Sequence, residues 1–323
     1  MSIVFIGTPA FAVPSLERLA GTGHDIAAVI TQPDRPAGRR QLPRPPPAKL
    51  AAQTLGLRVL QPPTLRDAEV LEGLRALSPE AIIVVAYGQI LRQDVLEIPV
   101  RGVLNVHPSL LPRWRGASPI PASILAGDER TGVTIMLMDT GMDSGPILAQ
   151  EDVPIHDEDT SRSLSDTLAD LGADLLVRTL PSWLAGEIPP QPQDDSLATT
   201  CPLLRKEDGA IDWQLPATEI WRRVRAYDAW PGAYTSFDGG IIHIWKAWPV
   251  TVELAAEPGV VLELRTSWRG ELPADIRREA ALAVQTGSGL LVPLELQRAG
   301  RRVLAAADFL RGMHGLIGRR LRP

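Results

Sequence analysis

Cysteine occurs once in the 323 residues, at Cys201. A lone thiol has no intramolecular disulfide partner and cannot build a cysteine-rich zinc cage, so a reducing compartment is expected. Lysine is nearly absent: Lys49, Lys206 and Lys246 are the three in the chain and none follows a glycine, which excludes a Walker A phosphate loop. Long apolar runs are missing as well. The most apolar stretch, Ala81 to Ala86, falls far short of the roughly 20 residues that span a bilayer. Met1-Ser2-Ile3-Val4-Phe5-Ile6 has no basic leader and reads straight into a strand, so the chain is expected to be soluble and cytoplasmic, with no membrane partner. Neither His-Glu-x-x-His nor Gly-x-Ser-x-Gly occurs, which removes the zincins and the hydrolase nucleophile elbow. Pro9 stands where a dinucleotide fingerprint needs its second glycine, so NAD binding is not expected.

What is present is an ordinary globular composition, 45% hydrophobic and 22% charged, in a chain longer than one core usually organises, which implies two domains. The net charge of -5 is uneven: residues 1–200 carry 16 basic and 24 acidic side chains and residues 201–323 carry 17 and 14, or -8 against +3. Short apolar runs at Ile3–Ile6, Ile26–Ile30, Val59–Leu60, Ile82–Ala86 and Val103–Val106 alternate with helical patterns such as Ala48–Leu55 and Ala68–Leu77. That rhythm predicts an α/β domain with an open, mostly parallel, Rossmann-like sheet, the kind that binds ligands at its carboxyl edge. Val133–Met138 and Ile147–Val153 read as two further strands, and Thr160–Leu184 as a long helix capped by Thr160 or Ser161. Prolines 189, 190 and 192 interrupt any period afterwards, which predicts a linker over 188–205 between a domain at 1–187 and another at 206–323. Short alternating segments from Tyr234 to Leu296 predict a small β-barrel there, with a five-stranded oligonucleotide-binding (OB-like) barrel as one candidate.

One constellation carries chemistry. In Asn105-Val106-His107-Pro108 the amide and the imidazole share one side of a strand, because side chains alternate with period two. The pair suits stabilisation of a developing oxyanion and transfer of a proton, although the same spacing also fits two polar residues satisfied by the backbone. Asp143, in the Gly- and Asp-rich turn Asp139 to Pro146, is placed to reach such a histidine, orient it and favour its charged form; by itself it also reads as a turn-forming aspartate.

Taken together, Phe5-Ile6-Gly7-Thr8-Pro9, Thr31 to Arg39, Val84-Val85-Ala86-Tyr87-Gly88, Asn105 to Gly116 and Asp139 to Gly145 resemble the methionyl-tRNA formyltransferase family. The likeness continues through Ile211-Asp212-Trp213, Val224-Arg225-Ala226, Trp230-Pro231-Gly232-Ala233 and Leu296-Gln297-Arg298-Ala299-Gly300. The resemblance implies transfer of a formyl group from 10-formyltetrahydrofolate to the α-amine of methionyl initiator tRNA, without a metal and with no obligate protein partner evident. It implies that Asn105 and a protonated His107 hydrogen-bond the oxyanion while Asp143 orients His107 and helps relay the proton. It also implies that Ser109, Leu110, Leu111 and Pro112, with the backbone around Val85, Ala86, Tyr87 and Gly88, hold the folate.

Two arginine groups are the expected RNA contacts. Gln32–Pro47 holds six prolines and four arginines, Arg35, Arg39, Arg40 and Arg44, too many prolines for regular structure; the resemblance implies that this loop enters the acceptor stem. Near the C-terminus Arg298, Arg301, Arg302, Arg311, Arg319, Arg320 and Arg322 are opposed in sequence by Asp308 alone, a surplus suited to phosphate contacts centred on Arg298, Arg301 and Arg302. Two rival readings share parts of this pattern. A sibling formyltransferase acting on glycinamide ribonucleotide or an amino sugar nucleotide would keep Asn105, His107 and Asp143, and a noncatalytic RNA-binding protein would keep only the arginines.

Overall fold

Runs of β-branched residues fully apolar on both sides make buried parallel strands, and amphipathic segments between them make the helices that cover such a sheet. The computed structural model describes residues 1–37, 42–252, 254, 256–313 and 315–323. They fall into two units, one of residues 1–119, 129–155 and 163–202, the other of 120–128, 156–162 and 203–323. Residues 1–202 form β1 (Ser2–Gly7), α1 (Val13–Ala20), β2 (Asp25–Ile30), β3 (Arg35–Ala37), β4 (Leu42–Arg44), α2 (Pro47–Thr54), β5 (Val59–Leu60), α3 (Ala68–Ala76), β6 (Ala81–Val85), α4 (Gln93–Leu96), β7 (Val103–His107), β8 (Arg115–Gly116), α5 (Pro119–Ala126), β9 (Arg130–Leu137), β10 (Ile147–Pro154), α6 (Ser161–Ala185) and β11 (Thr200–Cys201).

Seven of these strands make one sheet in the order β10-β9-β7-β6-β1-β2-β5. The five from β5 to β7 are parallel, and β9 and β10 extend the sheet antiparallel. The path leaves β1 toward β2 on one side and reaches β6 on the other, so the switch point of this Rossmann-like sheet lies between β1 and β6. Val4, Ile6, Ile82 and Val84 join Leu71 and Leu74 of α3 in the core, each large side chain contributing about 1.5–3 kcal/mol by its burial.

The long helix α6 presents Leu164, Leu168, Leu176, Leu180 and Leu184 to the core at a spacing of four or eight residues, the ridge that packs a helix on a sheet. Gly172 falls in the middle of that ridge. A Cβ there would stand 2.8 Å from Val106 Cγ1 and 3.2 Å from Val133 Cγ1, so α6 approaches β7 and β9 closely on the face that carries Val106. Asn105 and His107 consequently point to the other face.

Two expectations are corrected. The proline-rich loop is not devoid of regular structure, since β3 and β4 pair antiparallel with Arg35 opposite Arg44 and Pro36 opposite Pro43. Two prolines facing each other at one rung leave no amide hydrogen to be satisfied there. Residues 188–202 are not a bare linker: Ile147 and Gln191 exchange backbone hydrogen bonds at 2.8 and 2.9 Å, β11 pairs with β8, and the segment belongs to the first unit.

The second unit contains α7 (Ala217–Ala226), β12 (Ala233–Phe237), β13 (Gly240–Val250), β14 (Val261–Glu263), α8 (Thr266–Arg269), β15 (Leu282–Gln285), β16 (Leu290–Arg298), β17 (Leu304–Ala305) and α9 (Ala306–Arg311). The sheet runs β12-β13-β16-β15-β14, with β17 beside β16, and is antiparallel at every pairing. Both outer strands are then covered by the same C-terminal segment. Ser236 exchanges backbone hydrogen bonds with Arg322 at 2.7 and 3.0 Å, while Val261 N–H donates to Arg319 and Leu321 N–H to Gly259. The sheet thereby curls, and neither edge is left as an open template for pairing. Trp213 donates to the Thr235 hydroxyl at 3.0 Å, which donates on to the Arg322 carbonyl at 2.6 Å. Among the described residues no helix is long and apolar enough to cross a membrane.

Deleting residues 319–323 therefore strips both edges and removes the buried Leu321. The expected loss is on the order of 2–5 kcal/mol, that of one deleted core leucine, read as a lower thermal midpoint, with amide exchange accelerating first at Ser236 and Val261. An unchanged midpoint would show that the sheet does not depend on this segment.

Candidate active site

Asn105 and His107 leave the same face of β7, and the turn after β9 folds over them. Its shape is set by three local devices. Asp139 accepts from Gly141 N–H at 2.9 Å and from the Ser144 hydroxyl at 3.0 Å, closing the turn on itself. Gly145 passes so near the end of β9 that a Cβ would stand 1.9 Å from the Leu137 carbonyl oxygen. Asp143 sits between them in the left-handed region, φ 50°, which a non-glycine residue occupies only at a cost that its surroundings must offset.

That backbone aims one carboxylate at three groups. Asp143 Oδ1 lies 3.5 Å from Asn105 Nδ2; Oδ2 accepts from Gly116 N–H at 2.9 Å and stands 3.7 Å from His107 Nδ1. The amide, imidazole and carboxylate singled out in the sequence thus come together. The last distance is that of an ion pair rather than a hydrogen bond, so Asp143 does not fix the tautomer of His107. Trp114 does: its carbonyl oxygen is 3.1 Å from His107 Nε2, and a carbonyl only accepts, so Nε2 carries the hydrogen and Nδ1 faces Asp143 with its lone pair.

His107 is buried, 4% exposed. Burial disfavours the imidazolium and pushes its pKa below the usual histidine value, against the charge of Asp143 and the Trp114 carbonyl, which both favour it. In the free enzyme burial therefore weights the ring toward its neutral form, opposite to the protonated His107 that the resemblance implied at the oxyanion. Cys201 lies on β11 opposite Gly116 of β8, buried, with Sγ 3.4 Å from the Arg115 carbonyl, and burial pushes its thiol pKa up; it is a packed core thiol.

Sequence reasoning missed Gln193. From the segment read as linker, its Nε2 donates to the carbonyls of Asp143 at 2.9 Å and Gly145 at 2.7 Å. Its Oε1 accepts from Arg115 Nε at 2.9 Å, and Arg115 also pairs with Asp195 at 2.7 Å. No period or motif marks a glutamine that follows Pro192 and precedes two aspartates, and its partners lie 48 to 78 residues away in the chain; the one available signal was the departure of this segment from a flexible Gly/Ser composition.

The expected folate residues divide by exposure. Ser109 and Leu111 are buried. The Ser109 hydroxyl donates to the Arg113 carbonyl at 2.6 Å, Leu111 N–H donates to Thr134 Oγ1, and Gln150 holds the Leu111 carbonyl at 2.8 Å. These side chains shape the turn, and Leu110 and Pro112 are half-buried beside them. Val85 and Tyr87 are buried too, whereas Ala86 and Gly88 are exposed, both at positive φ. The Tyr87 carbonyl accepts from Thr8 Oγ1 at 3.2 Å and from Gln32 Nε2, tying together the ends of β1, β2 and β6 at the switch point. The Tyr87 hydroxyl has no hydrogen-bond partner among the described residues, and burial pushes its pKa up to about 12.

Of the expected RNA contacts, Arg39 and Arg40 lie outside the described residues. Arg35 and Arg44 are exposed on β3 and β4, and Arg35 also donates to Gln32 Oε1 at 3.1 Å. The base of this hairpin is anchored, Asp34 accepting from Lys49 Nζ and Gln61 Nε2, each at 2.8 Å. In the second unit the sequence surplus of seven arginines over Asp308 is reduced by folding: Arg311 pairs with Asp308, Arg319 with Asp238 and Arg320 with Glu257. Arg298, Arg301 and Arg302 are exposed, with no carboxylate partner among the described residues, around a cavity of about 480 Å³ floored by Leu304, Phe309 and Met313.

Residues 1–180 match a family model described as formyl transferase, and residues 203–314 match one described as formyl transferase, C-terminal domain. The methionyl-tRNA formyltransferase of Solibacter usitatus (strain Ellin6076) is 49% identical over 312 residues, covering 97% of this chain and 96% of that one. HypX from Aquifex aeolicus, solved in complex with tetrahydrofolic acid, superposes with a TM-score of 0.63 at 19% identity over 95% of this chain, which spans 46% of its length. An N-formyltransferase from Helicobacter canadensis, solved with folinic acid and dTDP-3-aminofucose, gives 0.66 at 18% identity, covering 90% of this chain and 98% of that one. At such identities the two structures show a shared fold.

The direction of the His107 shift fixes a pH dependence. Its folded pKa lies below the unfolded value of about 6.5, so the unfolded chain binds the extra proton first and stability falls as pH drops below ~6.5, with no contribution above it. Nitrogen-detected NMR of the His107 ring is expected to show the Nε2–H neutral form at pH 7 with a midpoint below 6.5, and a still lower midpoint in Asp143→Asn. A midpoint at or above 6.5 would contradict the balance described here.

Proposed function

The chain belongs to the methionyl-tRNA formyltransferase family, and from that premise we propose that it formylates the α-amine of methionine esterified to initiator tRNA at the cluster of Asn105, His107 and Asp143. The observation that carries this reading is the single carboxylate of Asp143 reaching an amide, an imidazole and a backbone N–H at once. The donor is a folate, in this reading 10-formyltetrahydrofolate, consumed as a substrate.

The chemistry follows from the resting protonation states. The amine lone pair attacks the formyl carbon and the carbonyl electrons move to oxygen. Asn105, whose long contact to Asp143 leaves amide hydrogen-bonding capacity free, donates to that oxyanion. Neutral His107 accepts the proton the amine nitrogen sheds, and the nearby Asp143 carboxylate stabilises the imidazolium so formed. As the bond between the formyl carbon and the folate nitrogen breaks, that nitrogen takes its electrons and receives the proton from His107. One proton leaves the amine and one arrives on folate, and the enzyme returns to its starting state.

The exposed backbone of Ala86 and Gly88 with the half-buried Leu110 and Pro112 supplies the folate-binding edge in this reading, Val85, Tyr87, Ser109 and Leu111 shaping it from beneath. RNA contact falls to Arg35 and Arg44 on the hairpin, to Arg39 and Arg40 between them in sequence, and to Arg298, Arg301 and Arg302 on an OB-like second unit, with the reaction in the cytoplasm. The amino-sugar sibling is a neighbour in fold only, at 18% identity, and a noncatalytic RNA binder has no use for the Asp143 cluster.

With a formyl-folate donor, charged initiator tRNA is expected to be formylated while glycinamide ribonucleotide and amino sugar nucleotides are not. Formylation of a small acceptor in its place would overturn the assignment, and no transfer to any acceptor would favour the noncatalytic reading. Asn105→Ala is expected to lower single-turnover rate about 100- to 1,000-fold, the usual effect of removing one oxyanion donor, with donor affinity little changed. Neutralising Arg298, Arg301 and Arg302 together should reduce the salt slope of tRNA binding by about three; an unchanged slope and affinity would exclude this patch from the RNA site.

A further inference from the structure

We infer that Gln193 is a positioning residue for formyl transfer: its amide clamps the turn that carries Asp143 and thereby holds the carboxylate against His107 and Asn105. The inference rests on the proposed activity of the Asp143 cluster. Asp143 occupies a left-handed backbone conformation, φ 50°, which an L-residue leaves readily unless neighbouring atoms hold it. The hydrogen bonds inside the turn converge on Asp139 and leave the carbonyls of Asp143 and Gly145 to an outside donor. Gln193 Nε2 supplies both bonds, at 2.9 and 2.7 Å.

The clamp has a defined polarity. Arg115 donates to Gln193 Oε1 at 2.9 Å, and a guanidinium only donates, so the amide oxygen must face Arg115 and the NH2 must face the turn. Arg115 precedes Gly116, whose N–H is the hydrogen-bond donor to the Asp143 carboxylate. The backbone and the side chain of Asp143 are therefore held from one place, Gln193 gripping the main chain and Gly116 the carboxylate. Gln193 is itself set by the bridge between Gln191 and Ile147 and by the pairing of β11 with β8. The segment after α6 is in this sense part of the active-site scaffold.

Gln193→Met keeps side-chain length and neutrality while removing the donors and the acceptor. Steady-state formylation of charged initiator tRNA should show kcat reduced about tenfold to a hundredfold with KM for both substrates within about threefold, because a misplaced charge weakens the transition state more than substrate binding. Asp143 raises the pKa of His107, so loosening the turn should also move the acid limb of the kcat profile to lower pH, which a mere loss of folded protein would not do. In an Asp143→Asn background the substitution should have little further effect, since Gln193 acts through that carboxylate. Gln193→Glu, which keeps the acceptor for Arg115 and loses both donors, provides the same kcat reading should Gln193→Met fail to fold. Wild-type kcat in either variant, or full additivity with Asp143→Asn, would overturn the inference; an inactive wild-type enzyme would instead defeat the activity on which it rests.

Discussion

The first unit is organised around one carboxylate held where it can act on three neighbours. Asp143 touches a side-chain amide, an imidazole and a main-chain N–H contributed by β7 and β8, and a charge so placed orders groups that the chain delivers from separate elements. Its position is determined by constraints that each concern geometry rather than chemistry: the Asp139 turn, the close pass of Gly145 beside Leu137 and the amide of Gln193. Remove the backbone support and the charge remains, but not its aim.

The second organising constraint is the competition over the proton on His107. Burial on a strand whose opposite face packs on α6 pushes the ring toward neutrality, and Asp143 pushes the other way. A ring that rests neutral beside a carboxylate can take a proton when one is released and give it up when the leaving nitrogen needs it, which is what one formyl transfer requires. The Trp114 carbonyl fixes which nitrogen is free for the task. A backbone group, invisible in residue identity, thus decides the direction in which the side chain works.

Much of this was legible before any coordinates. The leucines of α6 recur at helical spacing, the β-branched runs mark the buried strands, and strand alternation alone puts Asn105 and His107 on a common face. What escaped is physical in kind. Gln193 lies in a stretch with prolines and no period, and its role depends on carbonyls 48 and 50 residues away. Pro36 and Pro43 hid a short pairing because proline counts against strands in general and not at a rung where no amide is needed. The covering of both sheet edges by residues 319–322 depends on backbone hydrogen bonds that any side chain would permit. The protonation state of His107 depends on burial, which spacing does not report.

The most direct test is the pH dependence of single-turnover formyl transfer in wild type and in Asp143→Asn, an uncharged near-isostere. If the carboxylate both supports the imidazolium and raises the His107 pKa, the variant's plateau falls by about two to three orders of magnitude, as expected for loss of a preorganised electrostatic partner, and its acid limb moves to lower pH. A plateau within a few-fold of wild type and an unshifted limb would contradict the claim that Asp143 governs the proton on His107.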